Sequence, residues 1–408
     1  MKPRVVVLFD TIGPYHDARL KAAAHRLDIV PLEARAKSRI YAWDDLPSAA
    51  SARIALADAD APVSWRRALE GLERHIAPLR PEAIAVPGWS SMAALASIAW
   101  AARAGLPVIA MSDSNEHDFA RSAPKEFIKR RIVRAFAAGL TGSAAQKAYL
   151  SSLGLDPAAI FLGYDVVDND HFATVGRRAK ANPSAEPLRF GLVPGRFFLT
   201  VARMVEKKNL SRLIAAHAAY ARAAAPDEIW PLVILGDGPE RSALVRQCTE
   251  LGTDQLVHMP GFRQYDAIPE WYGLAGASVL PSAREQWGLV VNEAMACGLP
   301  VLVSKQCGCA SSLVHEGRNG WTFDASDTME IRDALTRLAT LPPAHLEALG
   351  RQSGKIIAEF GVERFGDGLA NAVAHARSRG APRVPSLTAL CVRVAASIQE
   401  ARSLKGIE

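Results

Sequence analysis

Two doubly wound α/β domains are predicted for this chain, and three features of its sequence predict them. Short apolar, β-branched runs alternate with Ala-rich stretches of helical length, the pattern of a parallel sheet with helices on its faces. Several runs end in a polar or glycine-bearing loop just ahead of a helix, where ligands collect in such sheets. At 408 residues the chain is long for one domain. A segment at 174–196 with Pro183, Pro187 and Pro194 divides it near the middle. A hydrophobic content of 49% with 22% charged residues supplies material for two cores.

The first domain is predicted over 1–173. It opens with VVVLF at 5–9, a buried parallel strand by composition. The loop DTIGPYH at 10–16 and an Ala-rich helix at 18–26 follow, the opening of a Rossmann-like unit. This loop has one glycine, so the G-x-G-x-x-G dinucleotide pattern is missing. Gly13 is either a plain turn glycine or a point of close backbone approach to a ligand. Further strands are expected at 29–32, 83–86, 108–111 and 140–141, with helices near 66–77, 90–104, 124–138 and 143–153. After 108–111 comes SDSNEHD at 112–118, polar residues crowding a strand end. There His117 is either a loop histidine or a proton-transferring or sugar-binding group. Asp168-Asn169-Asp170 matches the D-x-D pattern of metal-dependent sugar transferases, but it sits just ahead of the linker and is not read as a metal site.

The second domain, predicted over 197–365, restarts with FFLTVA at 197–202. That strand runs into RMVEKKN at 203–209 and a helix at 210–225. Arg and Lys on such a loop are either the ordinary charges of a surface loop or a diphosphate clamp, a planar fork plus a point charge backed by a helix N-terminus. LVIL at 232–235 precedes Gly236-Asp237-Gly238-Pro239, and Arg241 stands where a dinucleotide fingerprint needs its third glycine. The stretch LPSAREQWGLVVNEAMACGLPVLVS at 280–304 is the most informative. A strand at 277–280, a polar loop, a helix at 290–297 stopped by Gly298 and Pro300, and a strand from 301 put Glu285 on the loop and Glu293 one turn into the helix. The helix start at Gly288 aims backbone N–H groups at the loop, which suits a phosphate.

Glu-Gln-Trp-Gly-Leu at 285–289, with Asn-Glu-Ala-Met-Ala-Cys-Gly-Leu-Pro-Val at 292–301, closely resembles the donor-site motif of the retaining glycosyltransferases of family four. Arg203 and Lys208 match that family's Arg-Leu-x-x-x-Lys, with Met204 in place of Leu. The resemblance covers roughly residues 1–375 and implies the GT-B fold, two Rossmann-like domains facing across a cleft. It implies a nucleotide-diphosphate sugar as donor, UDP- or GDP-linked, with anomeric retention, no cofactor and no metal. On that resemblance His117 and Glu285 are the catalytic candidates. Gly13, Arg203, Lys208, Arg263, Trp287, Gly288, Leu289 and Glu293 are the donor-binding ones. The acceptor is a hydroxyl on a glycan, a lipid-linked saccharide or a small molecule, met by variable loops such as 35–65 with Tyr41, Trp43 and Trp65. Another GT-B enzyme, such as a nucleotide-sugar epimerase, and a non-catalytic sugar-binding protein are the alternatives. Helices at about 344–379 are expected to cross back to the first domain, with 366–408 as the C-terminal segment; 387–408 is the part the resemblance explains least.

Charge and cysteines bound the setting. Residues 1–180 carry 24 Lys+Arg against 19 Asp+Glu, and the remainder 24 against 23. The excess fits an acidic partner such as a phosphorylated lipid or anionic membrane, and no nucleic acid is expected. KEFIKRRIVRAF at 125–136 is a basic amphipathic stretch, either a core-facing surface helix or a peripheral membrane contact. The odd set of five cysteines shows no disulfide framework, and Cys307-Gly-Cys309 lacks a second metal-ligand pair. No signal peptide precedes the first strand and no apolar run reaches the roughly 18 residues of a bilayer span, so a cytoplasmic location is expected.

Overall fold

The computed structural model describes residues 1–36, 53–57, 63–116, 121–183 and 185–404. Its strands are β1 (Arg4–Phe9), β2 (Asp28–Glu33), β3 (Ile54–Ala55), β4 (Ala83–Pro87), β5 (Val108–Ser112), β6 (Ala138–Thr141) and β7 (Ile160–Leu162), then β8 (Phe198–Val201), β9 (Leu232–Leu235), β10 (Val257–Gly261), β11 (Ala277–Leu280), β12 (Val301–Ser304) and β13 (Gly320–Phe323). The helices that matter below are α1 (Pro14–Ala24), α2 (Met92–Ala104), α3 (Ala123–Val133), α4 (Asn169–Ala181), α5 (Leu210–Ala223), α6 (Ile268–Leu274), α7 (Leu289–Ala296), α8 (Val362–Arg379) and α9 (Ser386–Leu404).

The chain divides into two compact units, one of Met1–Val166 with Val362–Glu408 and one of Val167–Gly361. The first unit holds a sheet of order β3-β2-β1-β4-β5-β6-β7. All its pairings are parallel. Val5 to Leu8 of β1 are wholly buried, as a central strand covered on both faces must be. The core on one face comes from α2, whose Ala93 to Ala96, Ile98 and Trp100 are buried, together with Ile132, Val133 and Phe136. On the other face α8 packs against α1, β6 and β7 and buries Phe365, Leu369, Val373 and Ala376.

The second unit repeats the plan with order β10-β9-β8-β11-β12-β13, again all parallel. In both sheets the strand order reverses beside the first strand of the unit, between β1 and β4 and between β8 and β11. That reversal opens a crevice at the carboxyl ends of the two strands, where ligands bind in open α/β sheets.

Three boundaries differ from the sequence reading. The stretch read as a linker over 174–196 is largely helical: α4 and a short helix at Ala185–Leu188 occupy much of it. The Asp168 carboxylate accepts the His171 N–H at 2.9 Å and caps α4. Phe172, Gly176 and Ala179 then line up as a buried face against α6. The prolines begin at Pro183, after this helix has ended, so the first unit closes at Val166 rather than 173. The helices read over about 344–379 are separated at Gly361, and the chain returns to the first unit from Val362 rather than 366. β3 and β7, of two and three residues, are too short for periodicity to reveal. No described helix is long and apolar enough to cross a membrane.

Candidate functional site

In the second unit the loops after β8 and β11 meet at the strand-order reversal. The Thr200 hydroxyl donates to the Val279 carbonyl at 2.9 Å, binding the two strands beyond their ladder. The loop leaving β8 carries Arg203, exposed, and Met204, wholly buried, so the residue that stands where the related motif has Leu fills the same apolar role. A turn of 3₁₀ helix, Glu206–Lys208, then aims Lys208 at the neighbouring loop. There its ammonium forms an ion pair with the Glu285 carboxylate, both side chains being mostly covered. Ser282, buried, donates its hydroxyl to the same carboxylate oxygen at 3.3 Å. Two groups read from sequence as a phosphate ligand and a sugar ligand are thus one charged pair.

The backbone fixes this pair from both sides. Asn209 follows Lys208 in the left-handed region, φ +57, a conformation its short polar side chain tolerates. Its amide donates to the carbonyls of Pro281 at 3.0 Å and Ala325 at 2.8 Å, tying three loops together. Sequence reasoning missed this role; Asn between a basic loop and a helix start was its one visible signal. On the Glu285 side, the Gly308 N–H donates to the Glu285 carbonyl and the Cys309 N–H to that of Trp287. Cys307 and Cys309 are buried and outside any disulfide, and burial beside the Glu285 carboxylate pushes the Cys307 thiol far up.

Gly288 stands at the N-terminus of α7 with φ +108, and a Cβ there would lie 2.7 Å from Leu280 Cδ2, so only glycine fits this turn. Leu289, half-buried, is the first residue of α7. The Trp287 ring is turned into the core, its indole N–H donating to Asn292 Oδ1 at 2.9 Å. What Trp287 presents at the loop is therefore backbone. Glu293, fully buried on α7, accepts from the Tyr272 hydroxyl at 3.1 Å.

Arg263 does not join the group. It pairs with Glu186 and donates to the carbonyls of Pro260 and Phe262, next to β10, which is two strands out from β8. Burial and three acceptors make it a tie between loops.

In the first unit the equivalent reversal lies after β1. Gly13 has φ −98 and ψ −175, a conformation any residue adopts. Its N–H is taken by Nδ1 of His16 at 3.1 Å, so it is not held open for a phosphate. Burial and the nearby Arg19 guanidinium lower the His16 pKa to about 3, which keeps the ring neutral and able to accept. Beside the ends of β5 and β6, Asp165 is buried and accepts from the Gln146 amide at 3.0 Å. Burial, then the Asp113 carboxylate, push its pKa up to about 7. His117, Tyr41 and Trp43 lie outside the described residues. The loop that carries His117 is described up to Glu116, and Arg121 beyond it donates to the carbonyls of Asn115 and Glu116.

Residues 192–355 match the family model described as Glycosyl transferases group 1. Among curated relatives, the alpha-D-kanosaminyltransferase of Streptomyces kanamyceticus is 29% identical over 182 residues, 45% of this chain and 46% of that protein. A D-inositol 3-phosphate glycosyltransferase of Pseudarthrobacter chlorophenolicus is 28% identical over 230 residues, 56% and 53% of the two chains. The chain spans about half the length of these relatives. In three dimensions it is similar to the sucrose-phosphate synthase of Thermosynechococcus elongatus, with a TM-score of 0.70 at 18% identity over 90% of this chain and 97% of that one. It is also similar to Anabaena HepE in complex with UDP and glucose, with a TM-score of 0.68 at 16% identity over 91% and 99%. The two-sheet architecture is the GT-B fold.

Proposed function

We propose, for a chain whose residues 192–355 belong to the glycosyl transferases group 1 family, that it moves a hexose-type sugar from a nucleotide-diphosphate sugar to a hydroxyl acceptor, with retention and without a metal. The observation that carries this reading is the Lys208–Glu285 pair at the β8/β11 reversal, between Arg203 and the N-terminus of α7.

The chemistry follows from where charge develops. As the bond from the anomeric carbon to the diphosphate breaks, negative charge gathers on the leaving phosphate. Arg203 and the backbone N–H groups at the start of α7 meet it, joined by Lys208 as it turns from Glu285, the task a metal performs elsewhere. The acceptor oxygen bonds to the anomeric carbon from the face the diphosphate leaves, and its proton passes to the departing phosphate oxygen. Glu285, released by Lys208 as that ammonium turns to phosphate, holds hydroxyls of the transferred sugar and steadies oxocarbenium-like charge. Glu293 is assigned to the ribose hydroxyls, and His117 to the sugar.

The donor is read as a UDP- or GDP-sugar, supported by a structural relative that holds UDP. The acceptor is read as a hydroxyl on a glycan, a lipid-linked saccharide or a small molecule, met by a cytoplasmic enzyme. The basic helix α3 supports a peripheral membrane contact.

Two measurements test the reading. A thermal-shift panel of UDP, GDP, ADP and their sugars should raise the melting temperature for one base family. Lys208→Ala should lower transfer, or slow acceptor-free donor hydrolysis, by about 10²–10³-fold. Glu293→Ala should lower it comparably, with Glu293→Gln, which keeps an acceptor for Tyr272, separating ligand loss from unfolding. Near-wild-type turnover in Lys208→Ala and Glu293→Ala refutes the mechanism. Tight nucleotide binding with no turnover by the wild type would favour a binding protein.

A further inference from the structure

The C-terminal helix α9 has two faces that are both apolar. Thr388, Cys391, Val392 and Ala396 are buried, and the helix packs on α2 and α3 of the first unit. Leu387, Leu390, Val394 and Ile398 are between 40% and 58% exposed. Their spacing of three, four and four residues gathers them into one stripe. At ~100° per residue, Arg393 and Arg402 stand roughly a quarter-turn to either side of it. Beside this helix, α3 exposes Phe127, 48% accessible, beneath the Arg131 guanidinium at 4.9 Å. Together α9 and α3, with its C-cap Arg134, carry seven Lys and Arg against Glu126 and Glu400.

An apolar stripe flanked by arginines is not solvated at no cost, and the described residues leave about half of each of its side chains uncovered. We propose that α9 is a membrane-docking helix that lies in the plane of an anionic lipid surface, with Leu387, Leu390, Val394 and Ile398 entering the acyl boundary and Arg402 reaching headgroup phosphates, while Arg393 is held over the Trp65 ring at 4.6 Å. Charge decides between lipid and a second copy of the chain. Two copies meeting through this stripe would set one basic helix pair against another, whereas anionic headgroups neutralise both helices. Four apolar side chains bind weakly alone, and the added cations of α3 make the attachment two-signal and reversible. The inference extends the contact read for 125–136 and is independent of the donor site.

Full-length protein is sedimented with phosphatidylcholine vesicles, with and without phosphatidylglycerol. Binding is expected only with the anionic lipid. Leu390→Asp with Val394→Asp should reduce it by about tenfold or more. Leu387→Gln with Ile398→Gln, which leaves the charge unchanged, should reduce it as well. These positions face solvent, and an unaltered nucleotide-induced thermal shift shows that the variants fold. Equal vesicle binding by wild type and both variants overturns the proposal, as does no binding by the wild type. Loss of self-association in sedimentation velocity, without loss of lipid binding, assigns the stripe to a second copy and also overturns it. A wild type that binds vesicles through α9 but no nucleotide would sink the donor reading and leave this one standing.

Discussion

Lys208 and Glu285 stand 77 positions apart in sequence and share one ion pair in space. The same economy governs the glycine that shapes the loop beside them. Gly236 has φ +146, and a Cβ there would fall 2.0 Å from the Ala202 carbonyl oxygen, just ahead of Arg203. Alanine must therefore strain its own backbone and push the β8 loop away. Gly236→Ala is expected to cost about 2–5 kcal/mol, read as a lowered urea midpoint, and to weaken nucleotide binding through Arg203. A variant with an unchanged midpoint would show that the loop yields freely.

At the scale of the element, α5 follows the loop after β8 and buries His217, whose Nε2 lies 2.8 Å from the Trp230 carbonyl. Burial lowers its pKa to about 4, against the opposing effect of that bond. Between the unfolded value near 6.5 and the folded value near 4, the unfolded chain binds the extra proton. Stability from this group is thus full above pH 6.5 and is lost as pH falls toward 4, by on the order of 3 kcal/mol. His217→Gln can still donate to Trp230 and should flatten that part of the stability profile relative to wild type. Parallel profiles across the window would contradict the assignment.

The whole molecule is organised by a chain that leaves the first unit at Val166 and re-enters it at Val362. The first unit is therefore incomplete until its last helices arrive. Of these, α8 alone buries Phe365, Leu369 and Val373, and burial of three such side chains contributes about 5–9 kcal/mol. That is comparable to the ~5–15 kcal/mol stability of an entire domain. A chain ended after Gly361 is expected to expose 1–166 to limited proteolysis while 167–361 persists. Equal resistance of both segments would show that the first unit stands without α8.

The sequence by itself determined the fold class, because alternating apolar runs and helical stretches report burial period directly. It also placed Arg203 and Lys208 on the loop after β8, Glu285 and Gly288 on the loop after β11, and Glu293 on α7, since all sit on local strand-to-loop-to-helix patterns. It read 174–181, the later part of α4, as linker because the helix's buried face, Phe172, Gly176 and Ala179, is sparse and meaningful only against α6. Tertiary structure alone decided the partnerships. Glu285 joins Lys208, Glu293 turns to Tyr272, Trp287 turns inward, Arg263 is held by Glu186, and the Gly13 N–H is claimed by His16. Most of these contacts depend on which strands become neighbours, and a linear pattern does not carry strand order. The exposed stripe of α9 shows the same division: its periodicity is in the sequence, but which face the first unit covers is settled only by packing.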